Sequence, residues 1–297
     1  MDHPIPVLHS AINIMTPLLF AAMGGLFTEL SGMLNIALEG LLLTGAFAAI
    51  TAAHFTGSLA VGVAAAIFSS MALACILALV TLKLRSNVFI AGLAANLLAA
   101  GITVVLSFHL FGTRGVVVLN DVPPLTLINI PAIAGIPVIG DIFSGHTIYV
   151  YAAWGSLLLA WVVLYMTPFG FRLRSCDGHS EALISLGLSP DIYRFIAFLV
   201  SGLCCGIGGS FLTLNLGAFV PNISAGKGWI ALVVIFLGNR KPKGLLVAAL
   251  VFGLAEAFSN YAQGIFNVPA DFILAIPNVF TLLVMIGVSV YSRRKAS

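Results

Sequence analysis

The longest uncharged stretch of the chain determines the solvent in which it can fold. Residues 40–82 contain no Asp, Glu, Lys or Arg, and hydrophobic residues make up 60% of the sequence. A soluble domain is usually about 45–50% apolar, because polar side chains must cover its surface. Roughly 20 apolar residues cross the hydrocarbon core of a bilayer as one helix. The sequence therefore predicts an all-α, polytopic membrane helix bundle of about nine spans, within a range of eight to ten.

The predicted spans follow one another closely, and they leave no soluble domain between them. The seventh is too short to cross a bilayer alone, so we expect it to be half of a broken helix that continues the 217–228 stretch. Irregular backbone at membrane depth must be buried in protein or line a cavity. We therefore treat residues 1–297 as a single transmembrane domain. The predicted spans are Ile12–Thr28, Gly32–Ala53, Ser58–Leu82, Val88–Leu110, Thr147–Met166, Phe195–Leu216, Trp229–Leu237, Leu245–Ala262 and Asp271–Tyr291.

The Lys and Arg residues are distributed unevenly about these spans. If the C-terminus is cytoplasmic, nine alternating spans place every Lys and Arg except Arg114 and Lys227 on the cytoplasmic side. The positive-inside rule predicts this asymmetry, so we expect the N-terminus outside and the C-terminus inside. The N-terminal MDHPIPVLHS lacks the basic residues that begin a cleaved signal peptide. The net charge of +3 thus reflects topology and does not indicate a nucleic-acid partner.

No sequence motif indicates an enzyme, a metal site or a cofactor. The four cysteines include no CxxC pair, so we expect small buried side chains without a disulfide framework or a zinc site. GKG at 226–228 lacks the Ser or Thr and the upstream Gly of a nucleotide-binding loop. GIGGS at 206–210 lies in an apolar run, where small residues favour helix packing. An intramembrane enzyme that uses two distant carboxylates is the alternative, and a turnover assay would have to show its chemistry.

Carboxylates and amides inside the predicted spans are the first candidate functional groups. Asn35 and Glu39 lie four residues apart in LNIALEG. Glu256 and Asn260 have the same spacing in GLAEAFSNYA, and Asn96 lies in the middle of its span. A carboxylate at the bilayer centre costs roughly 2.5–3.5 kcal/mol on insertion scales, so such groups normally face a protein interior or a wet path. Three interpretations stay open: hydrogen bonds between helices, a polar wall along a translocation path, or placement at the membrane interface.

A second group of polar residues lies in RLRSCDGHSEALISLGLSP, residues 172–190. With the topology above, the 169–192 loop that contains it is the largest cytoplasmic segment. The composition of residues 180–188 predicts a short helix that Ser180 would cap. A short helix with few charges cannot bury its own apolar side. We therefore expect this helix to bind a partner on the cytoplasmic side.

Three long motifs give the sequence a family resemblance. They are SGMLNIALEGLLLTGAFAA (31–49), TPFGFRLRSCDGHSEALISLGLSPDIYRFIAFLVSGLCCGIGG (167–209) and GKGWIALVVIFLGNRKPKGLLVAALVFGLAEAF (226–258). Each resembles a motif of the permeases of ABC importers in the ribose and branched-chain amino acid superfamily, and the three follow the family's order. The EG pair in the second span and the short length resemble the second permease of nucleoside-type importers.

The resemblance implies a set of partners and a role for the 169–192 loop. The partners are a sister permease, cytoplasmic ABC ATPase subunits and an extracytoplasmic substrate-binding protein, in a bacterial inner membrane. The loop corresponds to the coupling segment that docks on the ATPase. Asp177 and Leu183 depart from the Gly and Ala of the family pattern, which suggests a matched ATPase. The residues expected to contact the ATPase are Arg172, Arg174, Glu181, Leu183, Ile184, Leu186 and Gly187.

The implied function is that of a permease subunit of an ATP-driven importer for nucleosides or related small polar solutes. Such a subunit forms half of the translocation path, and Asn35, Glu39, Asn96, Glu256 and Asn260 are its candidate lining residues. Ribose-like sugars, purines and a vitamin such as riboflavin stay open as substrates. The alternative is an ion-coupled secondary transporter in which Glu39 or Glu256 carries a proton. A requirement for ATP in a reconstituted complex separates the two.

Overall fold

The computed structural model describes residues 5–119, 121–131 and 139–265, and helices account for most of them. Seven helices in these ranges are long and apolar enough to cross a membrane. The helices are α1 (Ile5–Leu30), α2 (Leu38–Thr56), α3 (Leu59–Leu82), α4 (Val88–Phe111), α5 (Ile139–Phe143), α6 (Ile148–Met166), α7 (Pro168–Ser175), α8 (Ser180–Ser185), α9 (Pro190–Leu216), α10 (Lys227–Leu237) and α11 (Pro242–Ile265).

Every predicted span within the described residues coincides with a helix. The seventh, predicted at Trp229–Leu237, coincides with α10, which has 11 residues. Before α10 the chain leaves α9 at Gly217, forms a two-residue strand at Ala218–Phe219 and then makes a series of turns. The ninth predicted span, Asp271–Tyr291, lies outside the described residues. A helical membrane bundle with several spans is therefore the fold of this chain.

The second span was predicted to begin too early. Residues 31–37, here called the α1–α2 bend, are not helical, and α2 begins at Leu38. Gly32 has a φ of 80°, which glycine adopts more easily than other residues. Asn35 Oδ1 accepts a hydrogen bond from the backbone N–H of Ala37 at 3.0 Å, and such a local bond competes with a helix. Asn35 and Glu39 therefore do not lie one turn apart on one helix, contrary to the sequence interpretation.

Helix α9 lies at the centre of the bundle, packed against α1, α2 and α3. The glycines of its middle allow this packing. A Cβ atom on Gly206 would lie 2.7 Å from the carbonyl oxygen of Ala66 in α3. A Cβ atom on Gly209 would overlap the carbonyl oxygen of Leu42 in α2. The GIGGS sequence thus brings helix backbones into direct contact, as small residues do in membrane bundles.

Two short β-ladders join loops that connect the helices. Strand β1 (Val117–Val118) pairs antiparallel with β4 (Ala218–Phe219). Strand β2 (Leu127–Ile128) pairs antiparallel with β3 (His146–Thr147). Strands of two residues have no measurable hydrophobic period, so the sequence does not predict them. The first ladder fixes the segment after α4 to the segment between α9 and α10.

Candidate functional site

Glu39 binds the N-terminus of the short helix α10. Its buried carboxylate accepts hydrogen bonds from Ser224 Oγ at 2.6 Å, from the Gly226 N–H at 2.8 Å and from the Gly228 N–H at 2.7 Å. Backbone N–H groups at a helix N-terminus have no partner within the helix, and a negative charge there is stabilising. Glu39 also lies in the first turn of α2. One carboxylate therefore stabilises the N-termini of two helices.

Helix α10 approaches α2 so closely that only a glycine fits between them. A Cβ atom on Gly228 would overlap the backbone nitrogen of Glu39 and lie 2.5 Å from its Cα. Just before the helix, Asn222 and Ala225 have φ values of 58° and 46°, a region that costs energy for residues other than glycine. The segment before α10 is therefore bent into a strained turn that points its N–H groups at Glu39.

The two amides near Glu39 are also bound within the chain. Asn96 Oδ1 accepts a hydrogen bond from the Gly40 N–H at 2.7 Å, and Asn96 Nδ2 donates to the Ile36 carbonyl at 3.0 Å. Asn35 Nδ2 donates to Ser201 Oγ in α9 at 2.9 Å. These bonds fix α4 and α9 to the α1–α2 bend. Of the interpretations left open by the sequence, this geometry favours hydrogen bonding between helices for both amides and for Glu39.

Glu256 and Asn260 lie in a more open environment. Lys227 Nζ is 2.6 Å from Glu256 Oε1, and the two side chains are 13% and 30% exposed. Asn260, one turn further along α11, is exposed. Glu256 is 14 residues into α11, which places it roughly 21 Å from the start of the helix. The structure thus divides the five predicted path residues into an internal group of three and an open pair on α11.

The 169–192 loop contains two short helices, α7 and α8. Thr167 Oγ1 accepts a hydrogen bond from the Gly170 N–H at 3.2 Å and caps α7. The residue before α8 is His179, whose side chain makes no capping bond, and Ser180 is the first helical residue. The predicted cap at Ser180 is therefore wrong. Gly187, two residues after the end of α8, has a φ of 74°.

The apolar residues of α8 divide between the inside and the outside of the chain. Leu183 is 4% exposed, whereas Ile184 and Leu186 are 62% and 75% exposed. Leu183 was expected to fill a groove of the partner, but its side chain is buried within this chain. Its carbonyl accepts a hydrogen bond from the Leu188 N–H at 2.9 Å, where the chain turns after α8. Ile184 and Leu186 are the apolar side chains that this helix presents outward.

The charged residues predicted around this helix differ in their surroundings. Arg172 is exposed, and its Nη1 donates to the Tyr193 hydroxyl at 3.3 Å. Arg174 is half-buried, with its guanidinium 4.5 Å from the centre of the Tyr165 ring, a distance at which a cation and an aromatic ring attract. Glu181 is exposed. Arg172 and Glu181 are thus accessible to a partner, while Arg174 is held against the chain.

Two arginines that the sequence presents only as topology markers connect the 169–192 loop to the end of α1 and to the α1–α2 bend. Arg194 donates through Nε to the Ser31 carbonyl at 3.3 Å and through Nη2 to the Cys176 carbonyl at 3.1 Å. Arg240 makes the second connection, between α1 and the same loop. A positive charge at a span end fits the positive-inside rule whatever it contacts, so the sequence held no signal for either bridge.

Arg240 lies in the turn between α10 and α11 and bridges two carboxylates. Its Nη2 is 2.6 Å from Oε1 of buried Glu29, in the last turn of α1. Its Nη1 is 3.6 Å from Oδ2 of Asp177 in the 169–192 loop. Asn239 and Arg240 have φ values of 52° and 53°. The strained turn therefore holds the guanidinium between the loop and α1.

Comparison with known proteins gives consistent matches over nearly the whole chain. A family model described as branched-chain amino acid transport system / permease component matches residues 7–289. The nucleoside ABC transporter permease protein NupC of Lactococcus lactis is 33% identical over 286 residues, covering 91% of this chain and 88% of the relative. The guanosine ABC transporter permease protein NupQ of Bacillus subtilis is 32% identical, with the same coverage of both chains.

More distant similarities extend to a sugar permease and to a solved structure. The putative glucose ABC transporter permease protein TsgC13 of Haloferax volcanii is 28% identical, covering 89% of this chain and 80% of the relative. A chain of PsaBC from Streptococcus pneumoniae in complex with Fab superimposes with a TM-score of 0.51 at 16% identity. It covers 93% of this chain and 89% of its own length. This last similarity concerns the fold alone.

Proposed function

Because the chain belongs to the family of branched-chain amino acid transport system permease components, we propose that it imports nucleosides as one permease subunit of an ATP-driven transporter. Relatives named for nucleosides and for guanosine match with 33% and 32% identity, which supports a nucleoside substrate. A relative named as a putative glucose permease is less similar, at 28% identity. Related small polar solutes such as sugars are therefore the second candidate.

The observation that carries the proposal is the Lys227–Glu256 ion pair, which is partly exposed although it lies within an apolar helix bundle. Ionisable groups within membrane spans face the bundle interior or a water-filled cavity. Lipid therefore does not cover this pair or the exposed Asn260 beside it. We therefore propose that these residues face a water-filled path between this permease and a sister permease. This chain would supply half of the wall of that path.

The chemistry of this face suits an uncharged solute. Lys227 and Glu256 carry opposite charges at 2.6 Å, so together they attract neither anions nor cations over a distance. They still offer N–H donors and carboxylate oxygens, and Asn260 adds one amide acceptor and two N–H donors. Nucleoside hydroxyls and base edges can form hydrogen bonds with these donors and acceptors.

The remaining parts of the assembly are proposed from the family and from the shape of the 169–192 loop. We place a cytoplasmic ATPase against this loop, with Ile184 and Leu186 as buried anchors and Arg172 and Glu181 around them. Burial of one such anchor is worth about 1.5–3 kcal/mol, while charges at a rim mainly steer and orient. An extracytoplasmic binding protein delivers the solute on the opposite side, with the N-terminus outside and the C-terminus in the cytoplasm.

The ion-coupled alternative is not favoured. The relatives are named as ABC transporter permeases. Glu39, one of the two carboxylates proposed to carry a proton, is buried and accepts three hydrogen bonds from its own chain. Glu256 is already paired with Lys227.

The test is uptake by the reconstituted complex of this permease, its sister permease, the ATPase and the binding protein. We expect uptake of labelled guanosine to require ATP inside proteoliposomes that bear the binding protein outside, and to resist a proton ionophore. Excess unlabelled adenosine should compete, whereas excess glucose should not. Uptake driven by a pH gradient without ATP would contradict the proposal, and ATP-dependent uptake of labelled glucose without uptake of labelled guanosine would replace nucleosides by sugars.

A further inference from the structure

We propose that Arg194 and Arg240 are positioning residues that make the 169–192 loop and the α1–α2 bend move as one body. Displacement of the loop by the ATPase would then reach Glu39 and helix α10 directly. The inference rests on the proposed function, because it assumes that the ATPase docks on this loop. It goes beyond docking by naming the contacts through which the loop acts on the middle of the bundle.

The two arginines make equivalent bridges from different helices. Each guanidinium contacts both the loop and either α1 or the bend that follows it, and Arg194 has a further loop contact, from Nη1 to Oδ1 of Asp191 at 3.4 Å. Arg194, from α9, joins two backbone carbonyls, those of Cys176 and Ser31. Arg240 joins two carboxylates, those of Asp177 and Glu29. The planar guanidinium holds several donors in a fixed geometry, so it can keep both contacts at once in one orientation.

The bend that these bridges hold leads directly to the centre of the molecule. Seven residues after Ser31, the chain enters α2 at Leu38, and Glu39 binds the N-terminus of α10. The other end of α10 runs into the turn that carries Arg240. Helix α10 is therefore fixed at its start by Glu39 and at its end by Arg240, with α1 and the bend between the two points.

Lys227 connects this frame to the proposed path. It is the first residue of α10, and the neighbouring N–H groups of Gly226 and Gly228 are those that Glu39 binds. A shift of the bend would move Glu39, the start of α10 and the Lys227–Glu256 pair together. Asp177, which departs from the family pattern, is the loop residue that Arg240 contacts.

The first experiment weakens one bridge and measures coupling in the reconstituted complex. Asp177→Asn removes the exposed contact of Arg240 and leaves the buried Glu29–Arg240 pair in place. We expect the solute moved per ATP hydrolysed to fall about two- to fivefold, the range of an exposed ion pair. The ATPase should still co-purify, and Asp177→Glu should restore most of the ratio.

The matched control is Asp141→Asn, which changes an exposed carboxylate in α5, outside the contacts of the loop. Its ratio should equal that of the wild type. An unchanged ratio in Asp177→Asn would overturn the inference while leaving the proposed function intact. Failure of the wild-type complex to couple uptake to ATP would instead contradict the proposed function itself.

The second experiment replaces the bridge with a covalent bond. A Cβ atom on Gly32 would lie 3.6 Å from Cβ of Asp177, within the range of about 3.5–4.5 Å that disulfides require. In a background without the native cysteines, Gly32→Cys with Asp177→Cys should cross-link on oxidation. If loop and bend move as one body, the oxidised complex should transport at least as well per ATP as the reduced one. A block of transport that a reductant reverses would show relative motion and overturn the inference.

Discussion

Replacement of Glu39 by glutamine tests the role of this carboxylate as the support of α10. The carboxylate accepts from three donors and has two oxygens, one facing Ser224 and Gly226 and the other facing Gly228. Glutamine keeps one oxygen and replaces the other with an NH₂ group. If the remaining oxygen keeps Ser224 and Gly226, the new NH₂ group faces the N–H of Gly228. Two donors then point at each other in a buried site.

The magnitude follows from the bonds that are lost. A hydrogen bond to a charged group contributes about 1.5–3 kcal/mol, and a buried donor without a partner costs about 1–3 kcal/mol. Loss of the negative charge also weakens its interaction with the N-termini of α2 and α10, by about 0.3–1 kcal/mol each. The lost bond and the unpaired donor partly describe the same change, so we expect Glu39→Gln to destabilise the folded permease by less than the simple sum, roughly 3–5 kcal/mol. In a chain of this size that lowers the melting temperature by roughly 6–20 °C.

The assay measures the melting temperature of the purified permease in detergent. The readout is the fraction of protein that stays folded after heating, determined by fluorescence-detected size-exclusion chromatography. Glu256→Gln is the matched control, since it makes the same change in a partly exposed pair and should cost under about 1 kcal/mol. Ser224→Ala, which leaves both backbone amides bound to Glu39, should fall between the two. Equal melting temperatures for Glu39→Gln and Glu256→Gln would refute the argument that Glu39 supports α10.

Three further outcomes are expected. Ile184→Asp should release the ATPase subunit from the purified complex while Glu181→Ala retains it, because an apolar anchor contributes more than a rim charge; retention in both variants would contradict docking at α8. Burial lowers the pKa of His146, so the unfolded state takes up the proton first and stability should fall as the pH drops below about 6.5; His146→Gln should flatten this dependence of the melting temperature. In a cysteine-free background, Lys295→Cys should resist a membrane-impermeant maleimide in intact cells; labelling there would refute a cytoplasmic C-terminus.

The spans could be predicted from the sequence because hydrophobicity and length are local properties. Every predicted span in the described residues coincides with a helix, since about 20 apolar residues in a bilayer satisfy their backbone groups only as a helix or a barrel. The start of α2 could not be predicted this way. Residues 31–37 are not helical, because Gly32 has a φ of 80° and the side chain of Asn35 bonds to the Ala37 N–H.

The roles of the polar residues were beyond the sequence for a different reason. Glu39 has an asparagine four residues before it and Glu256 has one four residues after it, and the local sequence leaves the same three interpretations open for both. Their environments differ because the donors around Glu39 come from residues 224–228, whereas Glu256 meets the ammonium of Lys227. Which distant segment packs against a carboxylate depends on the folded chain, and hydrophobic patterning contains no such information.

The three motifs that gave the sequence its family resemblance meet physically in the structure. Glu39 of the first motif binds Gly226 and Gly228 of the third. Asn35 of the first motif binds Ser201 of the second. Each motif thus supplies either the donors or the acceptors of the others, and none can be satisfied alone inside an apolar bundle. An unpaired polar group in that environment costs several kcal/mol, so loss of a donor or an acceptor in one motif leaves a group of another motif without its partner.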